Sequence, residues 1–234
     1  MLTRGRILEA AGALADAEGI DAVTMRRLAA ELGVEAMSLY HHVPNKDAVL
    51  DGLVDAIMEE VNEVTNENGG AHWRAALRQR CLAARDVMVR HPWGPGLLGT
   101  RTTIPASVVF YYEGVLRQLI EGGFSYALAH KALHALGSMS LGFVQELFSP
   151  AATGGSLDVD AAEAEFDKLA EALPHMTAMV AAEIHANDGD VLGWCDSRAE
   201  FEFTLDLLLD GLERKRSAGL AEAQRSVTKA KDAP

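Results

Sequence analysis

Hydroxyl, aromatic and basic side chains are concentrated in one short stretch of the chain, residues 24–46. They are Thr24, Arg26, Ser38, Tyr40, His42 and Lys46. Donors of this kind hydrogen-bond to phosphate oxygens, and side chains presented by a helix can reach the edges of bases. The stretch therefore has the chemistry of a nucleic-acid contact, provided that the backbone presents these groups on one surface.

The hydrophobic spacing around these residues predicts two short helices joined by a turn. Apolar residues recur at the i, i+3, i+4 and i+7 positions of a buried helix face: Met25, Leu28, Ala29 and Leu32. Thr24 is a suitable N-cap and Gly33 a suitable helix end, and a second helix is predicted over residues 35–41. This pattern is typical of a helix-turn-helix, whose second helix enters the DNA major groove. Ala36 and Met37 lie on its outer face beside the polar residues.

The overall charge does not favour nucleic acid. The formal net charge is −13, and residues 1–50 hold five Lys or Arg against seven Asp or Glu. A specific contact needs only a few donors aimed at phosphates, so local placement can outweigh net charge. The weak positive field predicts modest affinity per subunit and therefore a requirement for a dimer.

Helical periodicity continues along most of the remaining chain, which predicts an all-α protein. No apolar run is long enough to span a bilayer and no signal peptide is recognisable, so a cytoplasmic chain with no membrane contact is expected. Two cysteines, Cys81 and Cys195, predict reduced thiols, and residues 91–96 have the composition of a loop. The predicted domains are a helix-turn-helix head at 1–45, a connecting helix at 46–62, a ligand-binding and dimerisation domain at 63–216 and a disordered tail at 217–234.

An apolar stripe on the last predicted helix, residues 198–216, indicates how the chain assembles. The stripe consists of Phe201, Leu205, Leu208, Leu209 and Leu212. A terminal helix cannot fully bury such a stripe within one subunit, which predicts a four-helix bundle made with a second copy and with the helix near 174–186. Two-fold symmetry then predicts a palindromic operator.

These patterns resemble the tetracycline-repressor (TetR) family of transcriptional regulators. The resemblance rests on GVEAMSLYHHVPNK at 33–46, LGTR at 98–101, GGFS at 122–125 and SLGFVQE at 140–146. It implies a homodimer in which a bound small molecule changes the separation of the two heads and releases operator DNA. It also implies DNA contacts by Thr24, Arg26, Ala36, Met37, Ser38, Tyr40, His42 and Lys46.

The resemblance further implies a ligand site in the helical body. The family holds magnesium–tetracycline through a histidine at the position of Leu97, so the effector expected here is an aromatic or polycyclic compound bound with no metal and no cofactor. The predicted contacts are Arg80, Met88, Leu97, Arg101, Leu133, Phe143 and Glu146. Arg80 interrupts an apolar stripe, and a buried charge requires a partner. An internal ion pair with Glu146 and a contact with the effector both remain open for it.

Two other functions are compatible with parts of the sequence. A helical enzyme would use Glu146, His134 and His91 as acid–base groups, but no nucleophile–base spacing or phosphate loop accompanies them, so no enzyme is predicted. A constitutive DNA-binding protein would need no effector, and the polar groups inside the body argue against it. His91, His130 and His134 are interpreted as ordinary core or surface residues.

Overall fold

The computed structural model describes residues 1–66, 72–143, 168, 170–184 and 197–231, and the regular structure in these ranges is helical throughout. This confirms the all-α prediction. The helices are α1 (Arg4–Glu18), α2 (Met25–Glu31), α3 (Ala36–Leu39), α4 (Lys46–Asn66), α5 (Trp73–Arg90), α6 (Gly94–Thr100), α7 (Ala106–Glu121), α8 (Tyr126–Phe143), α9 (Pro174–Ile184) and α10 (Ser197–Lys231), with a 3-10 turn at Ile20–Ala22. None of these described helices is long and apolar enough to cross a lipid bilayer.

Local capping signals set the ends of the helices in the head, α1 to α3. The Thr24 hydroxyl accepts a hydrogen bond of 3.2 Å from the backbone N–H of Arg27, as expected of an N-cap. Gly33 adopts φ +64°, a left-handed conformation that favours glycine, and it turns the chain from α2 towards α3. The helix α3 covers four residues rather than the predicted seven, and the chain passes into a turn at Tyr40.

The helix α4 joins the head to the following helices through one continuous core. Asn45 caps it by accepting from the N–H of Ala48 at 2.8 Å. Its buried residues belong to the same hydrophobic cluster as Ile7 and Leu28 of the head and Val87 and Val108 of the later helices. Its contact with α1 is close: a Cβ on Gly52 would lie 2.6 Å from a methyl of Leu8, so a larger residue there would require the Leu8 side chain to move.

Two segments differ from their prediction. The expected loop at 91–96 leads into the helix α6, which begins at Gly94 with Pro95 in its first turn, where the missing N–H of proline has no cost. The last helix continues to Lys231, although a disordered tail was expected from 217. Ala, Leu, Glu, Gln, Lys and Arg dominate this segment, and their high helix propensity allows α10 to extend without a further apolar stripe.

The chain divides into two compact units, Met1–Gln145 with Leu205–Pro234, and Glu146–Thr204. In the first unit, Arg74 of α5 pairs with Asp210 of α10 at 2.7 Å and with Asp206 at 3.5 Å. In the second unit, Thr177 near the start of α9 donates both its backbone N–H and its hydroxyl to Leu173 O, each at 2.9 Å.

Part of the apolar stripe of α10 is buried by the chain itself, which corrects the expectation that a second copy covers all of it. Phe201, Leu205 and Leu209 are each fully buried within the single chain, and Leu208 and Leu212 are half-buried. Phe201, Leu205 and Leu209 are therefore not available to a second copy, because the chain itself covers them, whereas Leu208 and Leu212 stay partly accessible. The large apolar residues that α10 leaves exposed are others, including Phe203 at 66% and Leu207 at 55% exposure.

Candidate DNA-binding surface and effector cavity

The predicted DNA-contacting side chains lie on the surface around α3. Arg26, Met37, Tyr40, His42 and Lys46 are exposed, with Met37 at 72% and Tyr40 at 44%. Single exposed side chains of this kind are common on protein surfaces, so it is their place on α3 that makes them relevant to DNA. A base edge or thymine methyl is the natural partner for such side chains at a helix-turn-helix.

The remaining predicted contacts differ in accessibility. Thr24 is exposed, and although its oxygen accepts from Arg27 N–H, its own O–H is still able to donate. Ala36 and Ser38 are half-buried, and Ala36 packs against the core. The outer face of α3 is therefore formed mainly by the larger side chains around these two.

Two neighbouring arginines on α2 have different environments. Arg27 forms an ion pair with Glu18 at 2.5 Å. Arg26 and Lys46 form no ion pair with any residue that the structure describes, and both are exposed. Arg26 and Lys46 are therefore the two cations of this surface whose donors are available for phosphate.

A cavity of about 440 Å³ lies among α5 to α8, with one wall from α4. Its size is within the usual range for a small-molecule site. The lining is mostly apolar and consists of Met58, Ala84, Met88, Pro95, Leu98, Gly99, Arg101, Thr103, Ile104, Pro105, Val108, Tyr111, Tyr112, Gly137, Ser140 and Leu141. Two polar atoms of this lining are buried, Arg101 Nε without a hydrogen-bond partner and Ser140 Oγ beside the Cys81 thiol. A buried donor is normally satisfied, so Arg101 Nε marks a position where a ligand could bind.

The structure brings only part of the predicted ligand set to this cavity. Met88 and Arg101 line it, whereas Arg80, Leu97, Leu133 and Phe143 do not. Leu97 is 5% exposed and packs in the core shared with α4. Glu146 lies outside the described residues. The sequence analysis missed Met58, Ile104, Tyr111 and Tyr112, which line the cavity. The available signal for the last three was an apolar residue in a short loop followed by a helix rich in aromatic residues.

Arg80 has a partner that neither of the open alternatives anticipated. Its guanidinium carbon lies 5.5 Å from the centre of the Tyr111 ring, and the side chain is 7% exposed. Burial lowers the pKa of Arg80 and raises that of Tyr111. Gly114 makes room for this arrangement, because a Cβ there would lie 2.7 Å from the guanidinium. Arg80 therefore supports the cavity wall from behind Tyr111.

The segment that closes the cavity, residues 101–107, is bound to α4 at successive turns. Arg101 pairs with Asp51 at 3.0 Å and with Asp47 at 3.5 Å. Ser107 donates its hydroxyl to Asp55 at 2.7 Å and accepts at its carbonyl from the Asn62 amide at 3.0 Å. A shift of the cavity wall must therefore move α4 or break these bonds.

A second set of contacts joins the head to the start of α6. We call Asp16, Glu60, Arg90, His91 and Trp93 the junction cluster. One carboxylate oxygen of Asp16 in α1 accepts from the Trp93 indole N–H at 2.7 Å and lies 2.8 Å from His91 Nδ1. Glu60 of α4 pairs with Arg90 and lies 3.4 Å from His91 Nε2. The head, α4 and the cavity helices thus meet at these five side chains.

Comparison with known proteins agrees with this geometry. Residues 7–53 match the family model described as bacterial regulatory proteins of the tetR family, and residues 65–216 match the tetracyclin repressor-like C-terminal domain. The chain is 44% identical over 92 residues to the HTH-type transcriptional repressor DrrR1 of Streptomyces coeruleorubidus, an alignment that covers 39% of this chain and 34% of that protein. It is 30% identical over 221 residues to the class G tetracycline repressor of Vibrio anguillarum, covering 94% and 98%. The alignment with the class D repressor of Escherichia coli covers 66% of that protein.

A solved structure gives the same relationship at the level of the fold. The Streptomyces coelicolor TetR-family protein ActR in complex with actinorhodin superposes with a TM-score of 0.68 at 29% identity, covering 90% of this chain and 95% of that one. The family models together span most of the chain, and they fall on the head and on the helices that form the cavity. The chain belongs to the TetR family of transcriptional regulators.

Proposed function

We propose that this chain is a transcriptional repressor that binds palindromic operator DNA as a homodimer and leaves it when a small aromatic or polycyclic molecule fills the cavity. The observation that carries this proposal is the attachment of the cavity segment 101–107 to α4, the helix that begins at Lys46 on the DNA-facing surface. The family-model matches at residues 7–53 and 65–216, and the similarity to the repressor DrrR1, support it.

The contacts of Arg101 suggest how the two sites are coupled. Arg101 contributes an unpaired Nε to the cavity while another of its nitrogens holds Asp51. A ligand that accepts from Nε competes with or redirects this side chain, and it thereby favours a different position of α4. A ligand shifts such an equilibrium only by its difference in affinity for the two positions, so the coupling should be strongest for compounds that reach Arg101.

The chemistry of the lining indicates an aromatic effector. Two tyrosines and two methionines offer flat, polarisable walls, and Arg101 and Ser140 supply a few polar contacts for orientation. ActR, a family member of the same fold, has been crystallised with actinorhodin. Among the described lining residues there is no His, Asp or Glu, and Leu97 offers no ligand atom, so a magnesium chelate would find no direct protein ligand here. An effector bound without an ion remains our prediction.

Exposed apolar residues of α10 support the proposed dimer. Leu207 lies two positions after the fully buried Leu205 on α10, and its side chain is 55% exposed. Burial of such residues against a second copy would remove them from water. Two heads related by two-fold symmetry would then present two copies of α3 to a palindrome.

The DNA half of the proposal can be tested once an operator has been selected from random duplex DNA. Fluorescence anisotropy should show that Arg26→Ala weakens specific binding by about 1–3 kcal/mol if the side chain reads a base, and that Lys46→Ala lowers the salt slope by about one. Arg27→Ala is the matched control, because Glu18 already occupies that side chain. Unchanged affinity in both test variants would remove this surface from consideration.

The effector half requires a probe, and tetracycline, minocycline and actinorhodin can be compared by thermal shift with and without magnesium. With the compound that stabilises the protein, Asp51→Asn should keep effector binding but reduce effector-driven release of DNA about fivefold or more, because the Arg101 contact is weakened. Glu59→Gln is the control, since that carboxylate lies exposed on the same helix. Stabilisation that requires magnesium would contradict the predicted ion-free site.

A further inference from the structure

Two histidines on the exposed side of α8 lie one helical turn apart and face each other. His130 Nε2 and His134 Nε2 are separated by 3.2 Å, with ring centroids 4.7 Å apart and ring planes at 87°. Both side chains are exposed, and neither lines the cavity. The pair therefore lies outside the lining of the effector cavity.

The distance between the two nitrogens is the distance found between two ligands of one metal ion. Zinc binds imidazole nitrogen at 2.0–2.1 Å, and a 3.2 Å separation then corresponds to an N–Zn–N angle of about 100–106°, near the tetrahedral value. Histidines at i and i+4 are the helical spacing that allows this chelation. Without an ion, one Nε2–H can donate to the other Nε2, so the geometry is also stable when the site is empty.

We propose that His130 and His134 form a surface site for Zn²⁺, with water in the remaining coordination positions. When the ion binds, both imidazoles carry their proton on Nδ1 and direct the Nε2 lone pair to the metal. In the part of the chain that the structure describes, no group of three or more His, Cys, Asp and Glu side chains is placed to hold an ion. A site with two protein ligands keeps open positions, and its affinity is moderate.

Binding at this site would also affect the neighbouring cavity helix. Gly137 and Ser140, one and two turns further along α8, line the cavity. An ion that links His130 to His134 restrains one turn of α8. The next turn contains Gly137 and is therefore more flexible than the turn held by the ion. The ion is therefore expected to raise the thermal stability of the protein.

The experiment is titration of the full chain with Zn²⁺ by isothermal calorimetry, with thermal melting as a second readout. One ion should bind per chain, and His130→Gln or His134→Gln should each weaken it about tenfold or more. His72→Gln is the matched control, because it removes an exposed histidine from outside the pair.

A second variant separates chelation from simple histidine content. Adding Lys131→His to the His134→Gln variant restores the number of imidazoles, but adjacent residues on a helix point apart, so tight binding should not return. The proposal is overturned if Zn²⁺ binds equally well to both single variants, if the rearranged pair binds as well as the original, or if the unmodified chain binds no Zn²⁺ at millimolar concentration.

Discussion

Replacing Asp16 tests whether the junction cluster fastens the DNA-binding head to the cavity helices. The Trp93 side chain is 8% exposed, and its N–H is 2.7 Å from the Asp16 carboxylate. A hydrogen bond to a charged acceptor is worth about 1.5–3 kcal/mol, and we take the lower part of that range because the carboxylate is 35% exposed. Asp16→Ala should therefore lower the free energy of unfolding by about 2 kcal/mol, including the lost contact with His91.

A double-mutant cycle isolates the Asp16–Trp93 bond from the other contacts of each residue. Urea unfolding of Asp16→Ala, Trp93→Phe and the double variant, followed by circular dichroism at one protein concentration, should give a coupling free energy of about 1–2 kcal/mol. Asp21→Ala removes the same charge from an exposed position in the 3-10 turn and should change stability by less than about 0.5 kcal/mol. Additive effects of the two test variants would refute the assignment of this bond as the fastening of the head.

Three further predictions concern the core and the assembly. Burial raises the pKa of the Cys81 thiol to about 11 from 9.0. In a Cys195→Ser variant, a thiol reagent at pH 8 should therefore label Cys81 about a hundredfold more slowly in the native chain than in the chain unfolded in urea. By the same shift, stability should fall as pH rises from 9 towards 11, because only the unfolded thiol ionises in that window; prompt labelling or a flat profile would contradict it. Gly122→Ala should destabilise the protein by about 1–3 kcal/mol in thermal melting, because the added Cβ would lie 2.7 Å from the Cβ of Trp73. Gly142→Ala is the control, since open space surrounds that position, and it should stabilise the protein by up to about 1 kcal/mol. Leu207→Asp should shift the protein from dimer to monomer in light scattering at micromolar concentration, and a dimer that persists would assign the interface to another surface.

The features that sequence reasoning predicted correctly depend on short-range physics. Thr24 and Asn45 cap helices because their side chains reach an N–H three residues away, and that reach is written in the sequence. Gly33 ends α2 for an equally local reason. The all-α fold and the helix-turn-helix follow from signals of this kind.

The features that it missed depend on which helices meet. For Arg80 the sequence left open an ion pair with Glu146, which lies outside the described residues, and an effector contact; it did not foresee the Tyr111 ring on α7, thirty-one positions along the chain. Phe201, Leu205 and Leu209 of the α10 stripe were assigned to a second copy, but the chain covers these three residues itself. Hydrophobic periodicity shows that one face of a helix is buried, but it does not show which other element covers that face. The partners of Arg80 and of the α10 stripe are therefore set by tertiary contacts that the sequence pattern does not contain. The positions of the ligand-binding residues stay predictions for the same reason.

The shared core around α4 has a consequence for building hybrid regulators. Ile7 of α1, Leu53 of α4 and Val87 of α5 belong to one hydrophobic cluster. A head cut out at residue 45 would lose the α4 residues of the cluster that its own buried residues share, so it is not a module that can be moved alone. A chimera that gives this chain a new operator preference should exchange the α3 surface and retain Asp16 and α4. Specificity can then be altered by recombination while the connection to the cavity is preserved.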